Sequence, residues 1–309
     1  MIDIEVENEF LENFTSIHTR KSYKNDINKF IEYLIETKNK IKKLHKIERR
    51  DIVTYRNWLL ETGSKTGGPS APKTIARKLA ALSSLFDYLV EKNLCKFNPV
   101  TSVKRPRREV KTATNALSRK QVREIFNEIE KNKNSKFLHK ALLVTFFTTG
   151  LRKSEILNLK YKDYREINDY KVIEYVGKGG KIGQKLVHPM CVEAIDDYIE
   201  WMNSIERKHE IEDWLFQPTR NYYDPTNLNK SLNPKTINEI INFYAKKIGL
   251  NFKISPHSAR ATFISELLDQ GVDIYAVARE VNHSSVTTTQ EYDKRRKKIK
   301  DSPISKLKY

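Results

Sequence analysis

The sequence predicts a mainly helical protein with a small antiparallel β-sheet, and three observations lead to this fold class. Apolar residues recur every three or four positions through the first third of the chain, as on one face of a helix. The apolar run 141–147 and the stripe after it repeat this helical pattern in the second half. Two β-branched runs within residues 172–187 flank a turn rich in glycine and lysine, which indicates a β-hairpin.

The first third is predicted to form a bundle of about four helices. Its clearest apolar stripes run along residues 17–37, 49–62 and 75–89. The segment 63–72, rich in glycine, serine and proline, is predicted to be a flexible loop. Asn98 and Pro99 end the bundle, so a first domain is expected to cover residues 1–103.

A basic linker is predicted after the bundle, at residues 104–114. Proline and neighbouring basic side chains favour an extended conformation there. Leu117 and Ser118 then begin a second domain, residues 115–309, with a capped helix. With 309 residues, the chain is long enough for two domains that each bury a core.

The second domain contains three short strings of cationic and imidazole side chains. In the first, residues 148–157, Gly150 can end the preceding buried helix in a left-handed conformation. This places Arg152 at a turn between two helices. Glu155 follows three residues later, within reach to orient the guanidinium group of Arg152.

The second string, residues 255–263, predicts the start of a helix. Ser255 is a suitable N-cap, and Pro256 fits the first helical position. His257 and Arg260 are three residues apart, so they share one face of the first turn.

The third string, residues 281–292, ends in a tyrosine. The serine- and threonine-rich stretch after His283 predicts a capped helix that brings Tyr292 back toward His283. Arg152 and Arg260 can each offer a planar set of N–H donors to the oxygens of a phosphate, and guanidinium groups stay protonated at any working pH. Together the strings indicate a site that cleaves phosphodiesters, with Tyr292 as the source of the attacking oxygen.

In this order and at these separations, the strings resemble the motifs of the tyrosine recombinase (phage integrase) family, and in particular Xer-like site-specific recombinases. Those motifs include a T-G-L-R-x-S-E box, an H-x-x-R box and an L-G-H segment followed by T-x-x-Y. The resemblance covers roughly residues 115–300 by motif. Asn282 stands where the family usually has glycine, and Val281 where leucine is common, but neither change removes a reacting group.

The resemblance implies a set of catalytic residues, namely Arg152, Lys178, His257, Arg260, His283 and Tyr292. In such a site Tyr292 forms a 3′-phosphotyrosyl intermediate, and Lys178 in the hairpin protonates the leaving 5′ oxygen, with Lys181 as the alternative. A phenol has an ordinary pKa near 10, so either the cations or His257 must assist its deprotonation. The implied reaction needs no metal and no other cofactor.

The resemblance also implies a partner and an assembly. Double-stranded DNA is the expected partner, and a homotetramer, formed on two DNA sites from monomers or dimers, exchanges strands through a Holliday junction. The first domain then corresponds to the core-binding domain, which clamps DNA opposite the catalytic domain, and the tail after Tyr292 is expected to dock on a neighbouring protomer. The expected DNA contacts are Lys73, Arg77, Lys78, Lys104, Arg105, Arg107 and Lys181.

Composition is consistent with a polyanionic partner. The net charge is +18 and the pI is about 9.6. Cys95 and Cys191 lack the spacing of a zinc site, as expected for a metal-free protein of the reducing cytoplasm. The N-terminus has no apolar signal core, and no run approaches the length of a membrane span.

Two other functions remain open. A type IB topoisomerase-like enzyme that relaxes DNA would share the tyrosine chemistry but would swivel one duplex instead of exchanging strands. A DNA-binding protein without catalysis would keep every activity in a Tyr292→Phe variant. The N-terminal bundle and the C-terminal tail favour strand exchange.

Overall fold

The chain is divided into two compact units, residues 1–111 and 112–309. The computed structural model describes residues 4–38, 44–63, 67–106, 115–133, 135–207, 209–220 and 226–293. Most of the predicted linker and the tail from residue 294 onward lie outside the described residues, so their conformations stay predictions. Within the described ranges, no helix is both long and apolar enough to cross a lipid bilayer.

The N-terminal unit is the helical bundle that the apolar stripes predict. Its helices are α1 (Ile4–Glu12), α2 (Ile17–Lys38), α3 (Arg49–Glu61) and α4 (Pro72–Glu91). Proline fits the first turn of α4, because the N–H that it lacks would have no partner within the helix. Phe30, Tyr55 and Leu79 are at most 1% exposed in the common core of these helices, and the rings of Phe30 and Tyr55 meet edge to face at 4.9 Å.

The C-terminal unit is built around one buried helix. Its helices are α5 (Arg119–Glu130), α6 (Lys136–Thr149), α7 (Lys153–Leu157), α8 (Pro189–Ser204), α9 (Pro234–Lys247), α10 (Pro256–Asp269), α11 (Ile274–Glu280) and α12 (Val286–Gln290). Helix α6 is apolar on nearly every side and packs against α5, α8 and α10. Ser118 caps α5 as predicted, since its side chain accepts a hydrogen bond from the Gln121 backbone N–H.

A three-stranded antiparallel sheet completes this unit. Its strands, in sheet order, are β1 (Tyr164–Ile167), β2 (Tyr170–Val176) and β3 (Ile182–Leu186). The β2–β3 hairpin confirms the sequence prediction. Strand β1 was not predicted, because four residues are too few to show a period. It joins β2 through Asn168 and Asp169, whose φ angles of 48° and 64° are those of a tight hairpin turn.

Candidate active site

Gly150 connects the first two motif strings. It follows the end of α6 with a φ of 62°, the left-handed conformation predicted for it. A β-carbon at this position would lie 2.4 Å from the ring of Phe263, so glycine alone fits. The Gly150 carbonyl oxygen accepts a hydrogen bond of 2.6 Å from Arg260 Nη1.

Arg152 is the N-cap of the short helix α7, and its guanidinium group is held by two motif strings. The Glu155 carboxylate, which is 4% exposed, accepts hydrogen bonds from the Arg152 backbone N–H at 2.6 Å and from Nη1 at 2.7 Å. Arg152 Nη2 donates to the backbone oxygen of Asn282 at 3.3 Å. The first and third strings therefore meet at this arginine.

Arg260 is the most deeply placed cation of the site. Ser255 caps α10 as predicted, with Pro256 in its first turn, and Arg260 is 3% exposed. Besides its bond to Gly150, the guanidinium group donates through Nη2 to the backbone oxygen of Val281. Burial first, and then the nearby charge of Arg152, lower the pKa of Arg260 to about 10, so the group remains protonated at neutral pH.

Tyr292 and His257 form a direct hydrogen bond. Tyr292 Oη lies 3.1 Å from His257 Nε2. The tyrosine follows α12 and is 7% exposed, because its ring packs among apolar residues of α10 and α11. Its backbone oxygen accepts a hydrogen bond of 3.3 Å from the Ser265 hydroxyl. His257, by contrast, is exposed on the first turn of α10.

His283 stacks on the same tyrosine. The two rings are 6.3 Å apart at an angle of 21°, which matches the predicted return of the chain toward His283. His283 Nδ1 lies 2.8 Å from the hydroxyl oxygen of Thr289, a fully buried residue of α12. Burial first, and then the charges of Arg260 and Arg152, lower the pKa of His283 to about 4. The imidazole is therefore neutral at pH 7.

The hairpin carries the remaining candidate residue. The backbone of Lys178 lies at its tip, where Gly177 N–H donates to the Lys181 carbonyl oxygen at 2.7 Å. The side chain of Lys178 lies outside the part of the chain that the structure describes, and Lys181 is exposed. The choice between these two lysines as the proton donor stays a prediction.

Lys185 is a further lysine of the hairpin, and sequence reasoning missed it. It is 4% exposed on β3, and its Nζ donates to the backbone oxygen of Glu280 and, at 2.6 Å, to the Glu280 carboxylate. Burial lowers its pKa despite this partner. The pair joins the hairpin to the end of α11, just before His283. Only the strand register, which turns Lys185 inward, distinguishes it from its exposed neighbours.

The predicted DNA contacts of the N-terminal unit differ in their surroundings. Lys73 is exposed, as are Lys104 and Arg105, whereas Arg107 lies outside the described residues. Arg77 and Lys78 both form ion pairs with Asp26, which is 1% exposed, and the Lys78 pair measures 3.1 Å.

Among the described residues, no group of three or more His, Cys, Asp or Glu side chains could hold a metal ion.

Two family models match the chain. Residues 115–298 match the phage integrase family, and residues 9–93 match the phage integrase N-terminal SAM-like domain. The chain is 32% identical over 293 residues to the tyrosine recombinase XerC of Thermodesulfovibrio yellowstonii, covering 90% of this chain and 85% of that protein. It is 26% identical to the XerD recombinase of Staphylococcus epidermidis, over 91% of this chain and 89% of that protein.

Solved structures show the same fold. The post-cleavage complex of the XerH site-specific recombinase with palindromic difH substrate superposes with a TM-score of 0.72 at 21% identity, covering 93% of this chain and 80% of that one. A lambda integrase dimer bound to a COC′ core site superposes with a TM-score of 0.66 at 15% identity, over 93% of this chain and 92% of that one. Both N-terminal bundle and C-terminal unit thus have counterparts of known structure.

Proposed function

This chain belongs to the phage integrase family of tyrosine recombinases, and we propose that it cuts and rejoins DNA at specific sites through a covalent link to Tyr292. The observation that carries the proposal is the 3.1 Å hydrogen bond between Tyr292 Oη and His257 Nε2, beside the guanidinium groups of Arg152 and Arg260. A phenol is a weak nucleophile until it loses its proton. His257 accepts that proton as general base.

The scissile phosphate binds among the cationic side chains. Arg152 and Arg260 donate to its non-bridging oxygens, and their charges offset the negative charge that grows in the transition state. His283, neutral in the free protein, donates a further hydrogen bond to one of these oxygens. Glu155 keeps the Arg152 guanidinium group in orientation through the bonds already described.

The chemistry is a pair of transesterifications. Tyr292 Oη forms a bond to phosphorus as the bond to the 5′ oxygen breaks, which leaves a 3′-phosphotyrosine and a 5′ hydroxyl that Lys178 has protonated. The 5′ hydroxyl of a second strand then attacks the phosphotyrosine, and Tyr292 leaves with its proton restored. Because the covalent link to Tyr292 keeps the free energy of the broken phosphodiester bond, the reaction needs no nucleotide as an energy source.

The assembly and its substrate extend this proposal. Double-stranded DNA is the substrate, and a homotetramer on two DNA sites exchanges strands through a Holliday junction. Support comes from two proteins of similar fold, XerH bound to difH substrate and a lambda integrase dimer bound to a core site. This chain's net charge of +18 supports it further. The N-terminal unit clamps the DNA through exposed cations such as Lys73.

A Tyr292→Phe variant tests the covalent step. Wild-type protein and the variant are incubated with nicked duplexes from the protein's own genomic neighbourhood, and adducts that survive denaturation are measured. We expect Tyr292→Phe to bind DNA as tightly as wild type and to form no adduct, because only the phenolic oxygen is removed. Tyr275→Phe, which alters an exposed tyrosine of the same unit, is the matched control and should form the adduct normally.

The same DNA distinguishes the alternatives. Two duplexes of different length report strand exchange by the appearance of recombinant lengths, and a supercoiled plasmid that contains the trapped site reports relaxation. Relaxation without recombinant products would favour the type IB topoisomerase-like alternative. An unchanged adduct in Tyr292→Phe would reject the proposed nucleophile altogether.

A further inference from the structure

The hydroxyl group of Thr289 is placed unlike those of other buried threonines in this unit. Thr145 and Thr149 in α6 donate to the carbonyl oxygen four residues earlier, at 2.7 Å each. Thr289 is 0% exposed, and its hydroxyl oxygen lies 2.8 Å from His283 Nδ1. Among the described residues, the hydroxyl has no other hydrogen-bond partner.

This geometry determines which way the hydrogen bond runs. A buried hydroxyl proton needs an acceptor, and His283 Nδ1 is the acceptor within reach in the described part of the chain. A nitrogen that accepts this proton uses its lone pair and carries no hydrogen of its own. In a neutral imidazole the single N–H must then be on Nε2.

We propose that Thr289 is a positioning residue, which holds the His283 ring with its N–H on Nε2, ready to donate to the scissile phosphate. The inference rests on the proposed function, because it gives His283 its role as donor. The pKa of about 4 for His283 agrees with a neutral ring in the free protein. With the opposite tautomer, Nε2 would present a lone pair to a phosphate oxygen and repel it.

The placement of Thr289 also fits the neighbouring nucleophile. Thr289 lies three residues before Tyr292, and the Tyr292 N–H donates to the Thr289 carbonyl oxygen at 3.0 Å. The His283 ring stacks on Tyr292 at 6.3 Å. Thr289 therefore contacts His283 through its own side chain, and it contacts Tyr292, the proposed nucleophile, through its own backbone.

Two substitutions separate the hydroxyl group from the shape of the residue. Thr289→Val keeps the volume but removes the hydroxyl, and Thr289→Ser keeps the hydroxyl. Thr288→Val, an exposed neighbour in the same helix, is the matched control. Full-length proteins with 15N-labelled histidine are examined by long-range 1H–15N correlation, which identifies the protonated ring nitrogen, and His283 is assigned with a His283→Gln variant.

In wild type and Thr289→Ser we expect His283 to carry its proton on Nε2, and in Thr289→Val we expect a mixture of tautomers. DNA cleavage by Thr289→Val should fall about 10-fold, the effect of one lost hydrogen bond, with DNA affinity unchanged. In a His283→Gln background, the valine substitution should have no further effect on cleavage, because its partner is absent.

The outcomes separate this inference from the proposed function. A wild-type protein with the proton on Nδ1, or a Thr289→Val variant with wild-type tautomer and cleavage, would overturn the role of Thr289. If the tautomer changes as expected but no protein forms a DNA adduct, the positioning of His283 stands and the proposed reaction fails. Equal loss in Thr289→Ser and Thr289→Val would show that shape, not the hydroxyl, matters.

Discussion

Asn282 adopts a backbone conformation that few residues tolerate. Its φ of 52° lies in the left-handed region, where a β-carbon normally crowds the following carbonyl. Asparagine is among the residues that enter this region most readily after glycine. This tolerance of a positive φ explains why asparagine can stand at a position where the family motif has glycine. The Asn282 backbone oxygen also accepts the hydrogen bond from Arg152.

Substitutions at this residue should separate backbone strain from side-chain chemistry. We expect Asn282→Ala to lose about 1 kcal/mol of unfolding free energy in urea titrations, because alanine resists the left-handed region, and Asn282→Gly to lose little. Asn93→Ala is the matched control, since Asn93 has a φ of 58° in the other unit. It should show a similar loss of stability but full DNA cleavage, whereas Asn282→Ala should also cleave more slowly.

At this scale the sequence singled out the residues that the fold brings together better than it singled out the residues that support them. Arg152, His257, Arg260, His283 and Tyr292 could be singled out because each belongs to a motif string. Lys185 could not, because its burial depends on the register of a strand. Thr289 was visible within the T-x-x-Y segment, but its contact with His283 depends on how α12 turns, which no local pattern specifies.

The end of α6 is the element on which the arginine geometry depends most. Gly150 combines a positive φ, a close approach to Phe263 and a carbonyl bonded to Arg260. Gly249, shortly after α9, has a φ of 74° but nothing within 4 Å of its would-be β-carbon. The two glycines therefore share the backbone requirement, and they differ in the space around them and in the contact of the Gly150 carbonyl oxygen with Arg260.

Alanine at each glycine should measure the difference. We expect Gly249→Ala to cost about 1 kcal/mol through backbone strain alone, and Gly150→Ala to cost about 2–4 kcal/mol because overpacking against Phe263 adds to it. Gly150→Ala should also reduce DNA cleavage, because the backbone carbonyl oxygen of residue 150, which accepts a hydrogen bond from Arg260, would move. Stability is measured by thermal and urea unfolding. Equal losses in Gly150→Ala and Gly249→Ala would contradict the close approach of residue 150 to Phe263.

Elements with a strong period or a cap were predictable, and short ones were not. The N-terminal helices, the capped starts of α5 and α10 and the β2–β3 hairpin all follow from local patterns. Strand β1 has four residues, and it exists because it pairs with β2 after a tight turn. That pairing is a tertiary effect, which a single short segment does not encode.

Two partly buried histidines link the stability of the whole molecule to pH. Burial lowers the pKa of His139 to about 4, and burial together with nearby arginines does the same for His283. The unfolded chain takes up protons at these residues near pH 6.5, whereas the folded chain does so only near pH 4. Their contribution to stability is therefore complete above pH 6.5 and is lost as the pH falls toward 4.

We expect the unfolding free energy to decrease over this window, by up to about 1.4 kcal/mol per pH unit for each histidine. His139→Gln should flatten the dependence, because glutamine does not titrate. Urea unfolding at several pH values between 7 and 4 measures the slope, and the exposed His18→Gln serves as the control. A slope unchanged by His139→Gln would contradict the burial effect.

At the scale of the whole molecule, the net charge and the order of the motifs predicted the class of partner and the family, but not the individual contacts. The basic composition indicates a polyanionic partner without saying which cations contact it, and Arg77 and Lys78 illustrate the limit, because both are paired with Asp26. Which cations stay available depends on the folded positions of acidic residues elsewhere in the sequence.

The bond between Tyr292 and His257 lies within a single polypeptide, as do the contacts of both arginines. Under the reaction proposed above, each gene product holds its own nucleophile, Tyr292, beside the groups that activate it. In genetic terms, an allele that lacks Arg152 and an allele that lacks Tyr292 would not complement each other in a diploid test. In the proposed tetramer, either defective allele would instead act as a dominant inhibitor, because its inactive product would join wild-type subunits.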